Sequence, residues 1–158
     1  MHLGSPILSV EPYRLGVAKA LVLIEKLRQQ GHQITVMNMG GGFGIHYRKQ
    51  EAQPAKAFAE VIVPAVKQAG CRLVLEPGRF IVGNAGLLLS RVIFKKESGG
   101  KNFVIQDAAM NDLIRPTLYD SFHRIWPAEP STQFPNLPED YEAEIPGTMK
   151  VDVVGPVC

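Results

Sequence analysis

The chain has 158 residues, of which 46% are hydrophobic and 20% charged, with a formal net charge of +2. That composition excludes a largely disordered chain and supports a real core; the weak, scattered positive charge forms no basic stripe with interleaved aromatics, which excludes a nucleic-acid partner and favours a small molecule. Cys71 and Cys158 build no disulfide framework, and neither a signal segment nor the ~20 apolar residues of a membrane helix is present, so a cytoplasmic protein with no membrane partner is expected.

Residues 11–31 have helical periodicity. Val17, Ala20, Leu21, Ile24 and Leu27 form one stripe, Glu25, Lys26, Arg28 and Gln29 face away, Pro12 suits the first turn and Gly31 the end. Residues 34–39 are a short apolar run that stops at glycines, which predicts a buried parallel strand entering a tight loop. Phe58, Val61, Ile62, Ala65 and Ala69 predict a second helix, kinked at Pro64. Residues 72–75 read as the next strand, ending at Glu76. The order helix, strand, helix, strand is a piece of an α/β barrel or a doubly wound sheet, with its chemistry expected in the loops after the strands.

The pattern changes after about residue 86. Residues 87–94, 103–106 and 149–154 read as strands separated by Gly, Pro, Asn and Asp, so residues 87–158 are expected to be β-rich. Residues 126–146 carry five prolines, Pro127, Pro130, Pro135, Pro138 and Pro146, and read as a long surface loop. A closed eight-stranded α/β barrel takes roughly 250 residues, far more than two strand-helix units supply, so the chain is expected to be a fragment.

Two loops carry the chemistry. Gly40, Gly41 and Gly42 let backbone amides converge on an anion with no side chain in the way, and a plain tight turn is the structural alternative. A dinucleotide-binding reading is weaker, because Gly40, Gly42 and Ile45 lack the third small residue of that pattern. Glu76, Pro77, Gly78 and Arg79 place a carboxylate and a guanidinium after the next strand. A carboxylate there is open to a ligand, a helix cap or a lysine pair; an arginine fork suits phosphate or carboxylate. Arg115 and Tyr119, four apart, share one side if that stretch winds a turn of helix; the bland alternative is an exposed arginine beside a half-buried tyrosine. Cys71 reads as core packing. No metal site is expected.

Taken in order, His2-Leu3-Gly4-Ser5, the loop of residues 40–45, Glu76 to Arg79, the run Asn111 to Tyr119 and Val154-Gly155-Pro156-Val157-Cys158 resemble the diaminopimelate decarboxylases, fold-type III pyridoxal-phosphate enzymes related to alanine racemase. The resemblance spans the whole chain. It implies the C-terminal part of a (β/α)8 barrel over residues 1–86, then the start of a β-rich domain over residues 87–158, incomplete at its C-terminus. Pyridoxal 5′-phosphate is the implied cofactor: Gly40, Gly41, Gly42 and Ser5 hold its phosphate, His2 stacks on its ring, Glu76 meets its ring nitrogen, and Pro77, Gly78 and Arg79 complete the loop.

The same resemblance implies that Arg79 also reaches a substrate carboxylate, that Arg115 and Tyr119 bind the far carboxylate, and that Cys158 donates a proton to the carbanion across a homodimer interface. The family's Schiff-base lysine lies earlier in the barrel, so a fragment without it is expected to be inactive alone. Two departures stand out: Pro6 replaces a glutamine of the family, and the acid that follows the family's cysteine is missing. The implied reaction turns meso-2,6-diaminopimelate into L-lysine and carbon dioxide. The alternatives are a decarboxylase of ornithine or arginine with the same fold, which would want an acid where Arg115 stands, and a truncated, non-catalytic partner subunit or pseudoenzyme.

Overall fold

Helix α1, Glu11–Gln29, carries Pro12 in its first turn with Glu11, and Lys26 and Arg28 in its last, which complements the helix dipole at both ends. It ends as the sequence predicts. Gly31 takes φ +89°, its amide donates to the Arg28 carbonyl and the His32 amide donates to the Leu27 carbonyl, the paired bonds of a Schellman stop. Helix α2, Ala55–Gln68, stops by the same device. There Gly70 takes φ +64°, its amide reaches the Lys67 carbonyl and the Cys71 amide reaches the Val66 carbonyl.

Each glycine stop feeds a short strand. Strand β1, Val36–Asn38, lies parallel to strand β2, Arg72–Val74, in register Val36 to Arg72 and Asn38 to Val74. Ile7 adds a parallel bridge to Phe43 beyond β1. The structure, a computed structural model, describes residues 1–48, 51–129 and 145–157. The chain divides into two units, Met1–Gly86 and Leu87–Cys158.

The core of the first unit sits between the two helices and one face of the strands. Tyr13, Val17 and Ile24 of α1 meet Phe58, Ile62 and Val66 of α2 over Met37, Met39 and Phe43. Tyr13 stacks on Phe43 with ring centroids 4.8 Å apart, and Phe58 meets both edge-on at 5.3 and 5.0 Å. The predicted fully buried strand is corrected here: Met37 is buried, whereas Val36 and Asn38 on the opposite face are exposed. The helices cover one face only. Helix α2 runs on through Pro64, which stands on its exposed side and leaves the Glu60 carbonyl without an intrahelical donor. At the far end from the glycine loop, the Arg28 guanidinium donates to the carbonyls of Ile34 and Ala69, tying both helix-to-strand connections together. Cys71 is half-buried against the core, its Sγ 3.3 Å from that guanidinium.

In the second unit, strand β3 covers Val92–Ser98, later than the predicted 87–94, because Leu87, Leu88 and Leu89 are exposed and unpaired by any strand. It pairs antiparallel with strand β4, Lys101–Gln106, through Gly99 and Gly100, both at positive φ as a two-residue hairpin turn requires. Strand β5, Asp152–Val154, lies parallel to β4 and is shorter than the predicted 149–154. Of the predicted proline-rich loop, residues 130–144 lie outside the described residues. Among the described residues no helix is long and apolar enough to cross a membrane.

Phe58 touches every aromatic partner in the first unit's core, so Phe58→Ala should lower stability by about 3–5 kcal/mol. Urea unfolding measures this; a loss below about 1 kcal/mol would show that the aromatic cluster is not what holds the helices on the strands.

Candidate functional site

Beyond β1 the chain makes three glycines in a row, and each carbonyl is taken by a different element. The Gly40 oxygen accepts from the Glu76 amide at 2.8 Å, the Gly41 oxygen from the Tyr13 hydroxyl at 2.7 Å, and the Gly42 oxygen from the Ile7 amide at 2.7 Å. With the carbonyls pinned inward, the amides of Gly41, Gly42 and Phe43 have no hydrogen-bond acceptor among the described residues. That leaves a cluster of unpaired backbone donors, which is what an anion needs.

The glycines are required for a second reason, which the sequence alone does not disclose. A Cβ on Gly41 would collide with the Glu76 carbonyl, one on Gly42 with the Gly4 carbonyl, and one on Gly40 with the Met1 carbonyl. The loop is clamped between the loops on both sides of it. Gly40 and Gly42 also sit at φ +68° and +94°.

These clamps bring most of the predicted residues to one edge. The His2 imidazole lies beside Gly40. Ser5 is exposed in the same loop as Gly4, ahead of a cis Ser5–Pro6 bond. Glu76 follows β2, and its Oε1 accepts at 2.6 Å from the side-chain Nδ2 of Asn38, whose Oδ1 in turn accepts from the Gly40 amide at 2.7 Å. Pro77 and Gly78 turn the chain into helix α3, Arg79–Val82, with Gly78 at φ +49°. The half-buried Arg79 places its guanidinium 5.9 Å from the Tyr47 ring centroid. Burial pushes the Tyr13 hydroxyl up from its ordinary pKa of 10 to about 12, so it is a neutral donor to the glycine loop throughout the physiological range.

Arg115 and Tyr119 belong to the second unit and do come together. Helix α4, Arg115–Tyr119, is the single turn expected, and the guanidinium lies 5.3 Å from the Tyr119 ring centroid while donating to Ser121 Oγ at 3.0 Å. Their burial reverses the bland alternative: the arginine is half-buried and the tyrosine exposed. Cys158 lies outside the described residues.

The family model described as "Pyridoxal-dependent decarboxylase, pyridoxal binding domain" matches residues 1–83, more than half of the chain. The chain belongs to the pyridoxal-dependent decarboxylases. It is 42% identical over 159 aligned residues to a diaminopimelate decarboxylase of Zymomonas mobilis and 39% identical over 158 to one of Aquifex aeolicus, in each case covering 99% of this chain and 34% of the relative. A crystal structure of the Helicobacter pylori diaminopimelate decarboxylase complexed with L-lysine superposes with a TM-score of 0.81 at 33% identity, over 99% of this chain and 36% of that one. The chain thus spans about a third of the length of the relatives it matches.

The first unit's donor set fits pyridoxal phosphate. Unpaired amides at the glycine loop suit its phosphoryl group, a carboxylate on the neighbouring loop suits its ring nitrogen, and an imidazole stands beside Gly40. Sequence reasoning missed Asn38 and Tyr13. Tyr13 stands four residues before Val17 on the apolar stripe, and Asn38 ends a strand directly before a glycine turn, where a short amide side chain bonds nearby backbone.

Gly41→Ala should cost ~1–3 kcal/mol, because the colliding atom is a backbone carbonyl that cannot rotate away, whereas Gly86→Ala, with open space around it, should stay within about 0.5 kcal/mol. Chemical denaturation compares the two; equal losses would deny the clamp. The Tyr13 proton is held more tightly in the folded chain, so its stabilising contribution is complete below pH 10 and drains away as pH rises towards about 12. Tyr13→Phe should flatten stability against pH in that window, and an unchanged slope would contradict the buried hydroxyl.

Proposed function

We propose that this chain is part of a pyridoxal 5′-phosphate-dependent decarboxylase that converts meso-2,6-diaminopimelate into L-lysine and carbon dioxide. The observation that carries the reading is the meeting, on adjacent strand-ending loops, of unpaired backbone amides and the Glu76 carboxylate. Identities of 36–42% with curated diaminopimelate decarboxylases over nearly the whole chain support the substrate, and the L-lysine held by the Helicobacter pylori enzyme is the product named here. In this reading residues 1–86 are the C-terminal part of a (β/α)8 barrel and residues 87–158 open a β-rich domain. The whole enzyme is a cytoplasmic homodimer.

The bound cofactor supplies a protonated ring that accepts the electron pair released as carbon dioxide departs. The chain's own residues divide the remaining work. The amides of Gly41, Gly42 and Phe43, in the turn that Gly40 opens, would bind the phosphoryl oxygens with the Ser5 hydroxyl, while the Gly40 amide itself is taken by Asn38. The Glu76 carboxylate would hold a proton at the ring nitrogen, His2 would pack against the ring, and Pro77 and Gly78 shape the loop that carries Glu76. Arg79 binds a substrate carboxylate, and Arg115 with Tyr119 grips the carboxylate at the far end, which selects a diamino dicarboxylic acid over a simple basic amino acid. The Cys158 thiol returns a proton to carbon, from one protomer into the site of its partner.

The test transplants these 158 residues into the aligned segment of the Zymomonas mobilis enzyme and assays carbon dioxide release from meso-diaminopimelate, ornithine, arginine and lysine. Turnover of diaminopimelate is expected, falling at least about a hundredfold with Arg115→Ala, since a lost charged contact to a buried carboxylate is worth on that order. Turnover of ornithine or arginine in preference to diaminopimelate would overturn the assignment.

A further inference from the structure

We propose that Asn38 is a positioning residue that locks the two cofactor anchors into one rigid unit. The inference rests on the cofactor reading above and adds to it a residue that touches neither end of the ligand. Three observations carry it. Asn38 is the last residue of β1, so its backbone is fixed by pairing with Val74, and its side chain lies on the exposed face of the strand, on the side away from the core. Its Oδ1 accepts the Gly40 amide at 2.7 Å, and its Nδ2 donates to Glu76 Oε1 at 2.6 Å. A backbone N–H can only donate, so the Gly40 bond fixes which end of the amide faces which partner, and the Asn38 NH2 must point at the carboxylate.

The consequence is a short relay from loop to loop. Gly40 begins the glycine turn whose following amides are unpaired, and Glu76 begins the neighbouring loop; Asn38 spans them with two bonds from one planar group. The Glu76 amide closes the circuit by donating to the Gly40 carbonyl at 2.8 Å. One Glu76 oxygen is thereby held, the carboxylate plane is restrained, and the other oxygen is left for a ligand. An asparagine does this where an aspartate would not: aspartate offers Gly40 the same acceptor but turns a second negative oxygen, rather than a donor, towards Glu76.

That difference gives the test, made on the 158-residue chain. Amide hydrogen exchange at Gly40, followed by NMR without any cofactor, should show protection in the unsubstituted chain and in Asn38→Asp but not in Asn38→Ala. Titration with pyridoxal 5′-phosphate, followed by absorbance, should give about tenfold weaker binding for Asn38→Asp, the scale of one lost charge-assisted bond at an exposed site. If Asn38 acts through Glu76, Asn38→Asp in a Glu76→Gln background should weaken binding no further. Far-UV circular dichroism confirms that the Asn38→Asp chain is folded. Equal Gly40 exchange in the unsubstituted chain and Asn38→Ala would overturn the proposal, as would unweakened binding by Asn38→Asp or losses that multiply in the double variant. Failure of the unsubstituted chain to bind pyridoxal phosphate would instead bring down the cofactor reading itself.

Discussion

The first unit depends on how closely three backbones approach at residues 40–42. Glycine there removes the Cβ atoms that would strike the carbonyls of Met1, Gly4 and Glu76. That approach lets the Gly40 and Gly42 carbonyls bond to the loops on either side, while Gly41 turns its own carbonyl back to Tyr13. With the carbonyls satisfied internally, the amides of Gly41, Gly42 and Phe43 stay without an acceptor among the described residues. The unpaired amides of the loop are therefore a by-product of the packing, not a separate property added to it.

The hydrophobic core supports this arrangement from below. Tyr13 is fully buried, stacked on Phe43 and edged by Phe58, and its hydroxyl is the one polar atom that the core sends into the glycine loop. A helix, an aromatic cluster and the glycine loop are thus linked by one side chain. Matching Schellman stops at Gly31 and Gly70 end the two helices, and the parallel pairing of β1 with β2 delivers the loops after both strands to the same edge.

Much of this was legible from residue order. Apolar spacing gives both long helices, and Gly31 marks where the chain leaves the first. What the sequence hid was reciprocal. A glycine reads the same whether it makes room for a ligand or for another backbone, and here it makes room for another backbone. Asn38 was unreadable because its importance lies in partners 2 and 38 positions away, one backbone and one side chain. Strand β3 starts later than residue 87 because Leu87, Leu88 and Leu89 have the apolar content of a strand without a pairing partner, whereas Lys95, Lys96 and Glu97 pair despite their charge.

The single-turn helix at Arg115–Tyr119 was readable from a four-residue spacing, yet its exposed tyrosine and half-buried arginine were not, since burial depends on what packs against the turn. In the proposed function, one pyridoxal phosphate spans the glycine loop and Glu76 of the first unit. A crystal structure of the chain grown with pyridoxal 5′-phosphate measures this most directly. The account expects one molecule, its phosphoryl oxygens on the amides of Gly41, Gly42 and Phe43 and its ring nitrogen within hydrogen-bond distance of Glu76. A phosphoryl group bound elsewhere, or a ring nitrogen out of reach of that carboxylate, would contradict it.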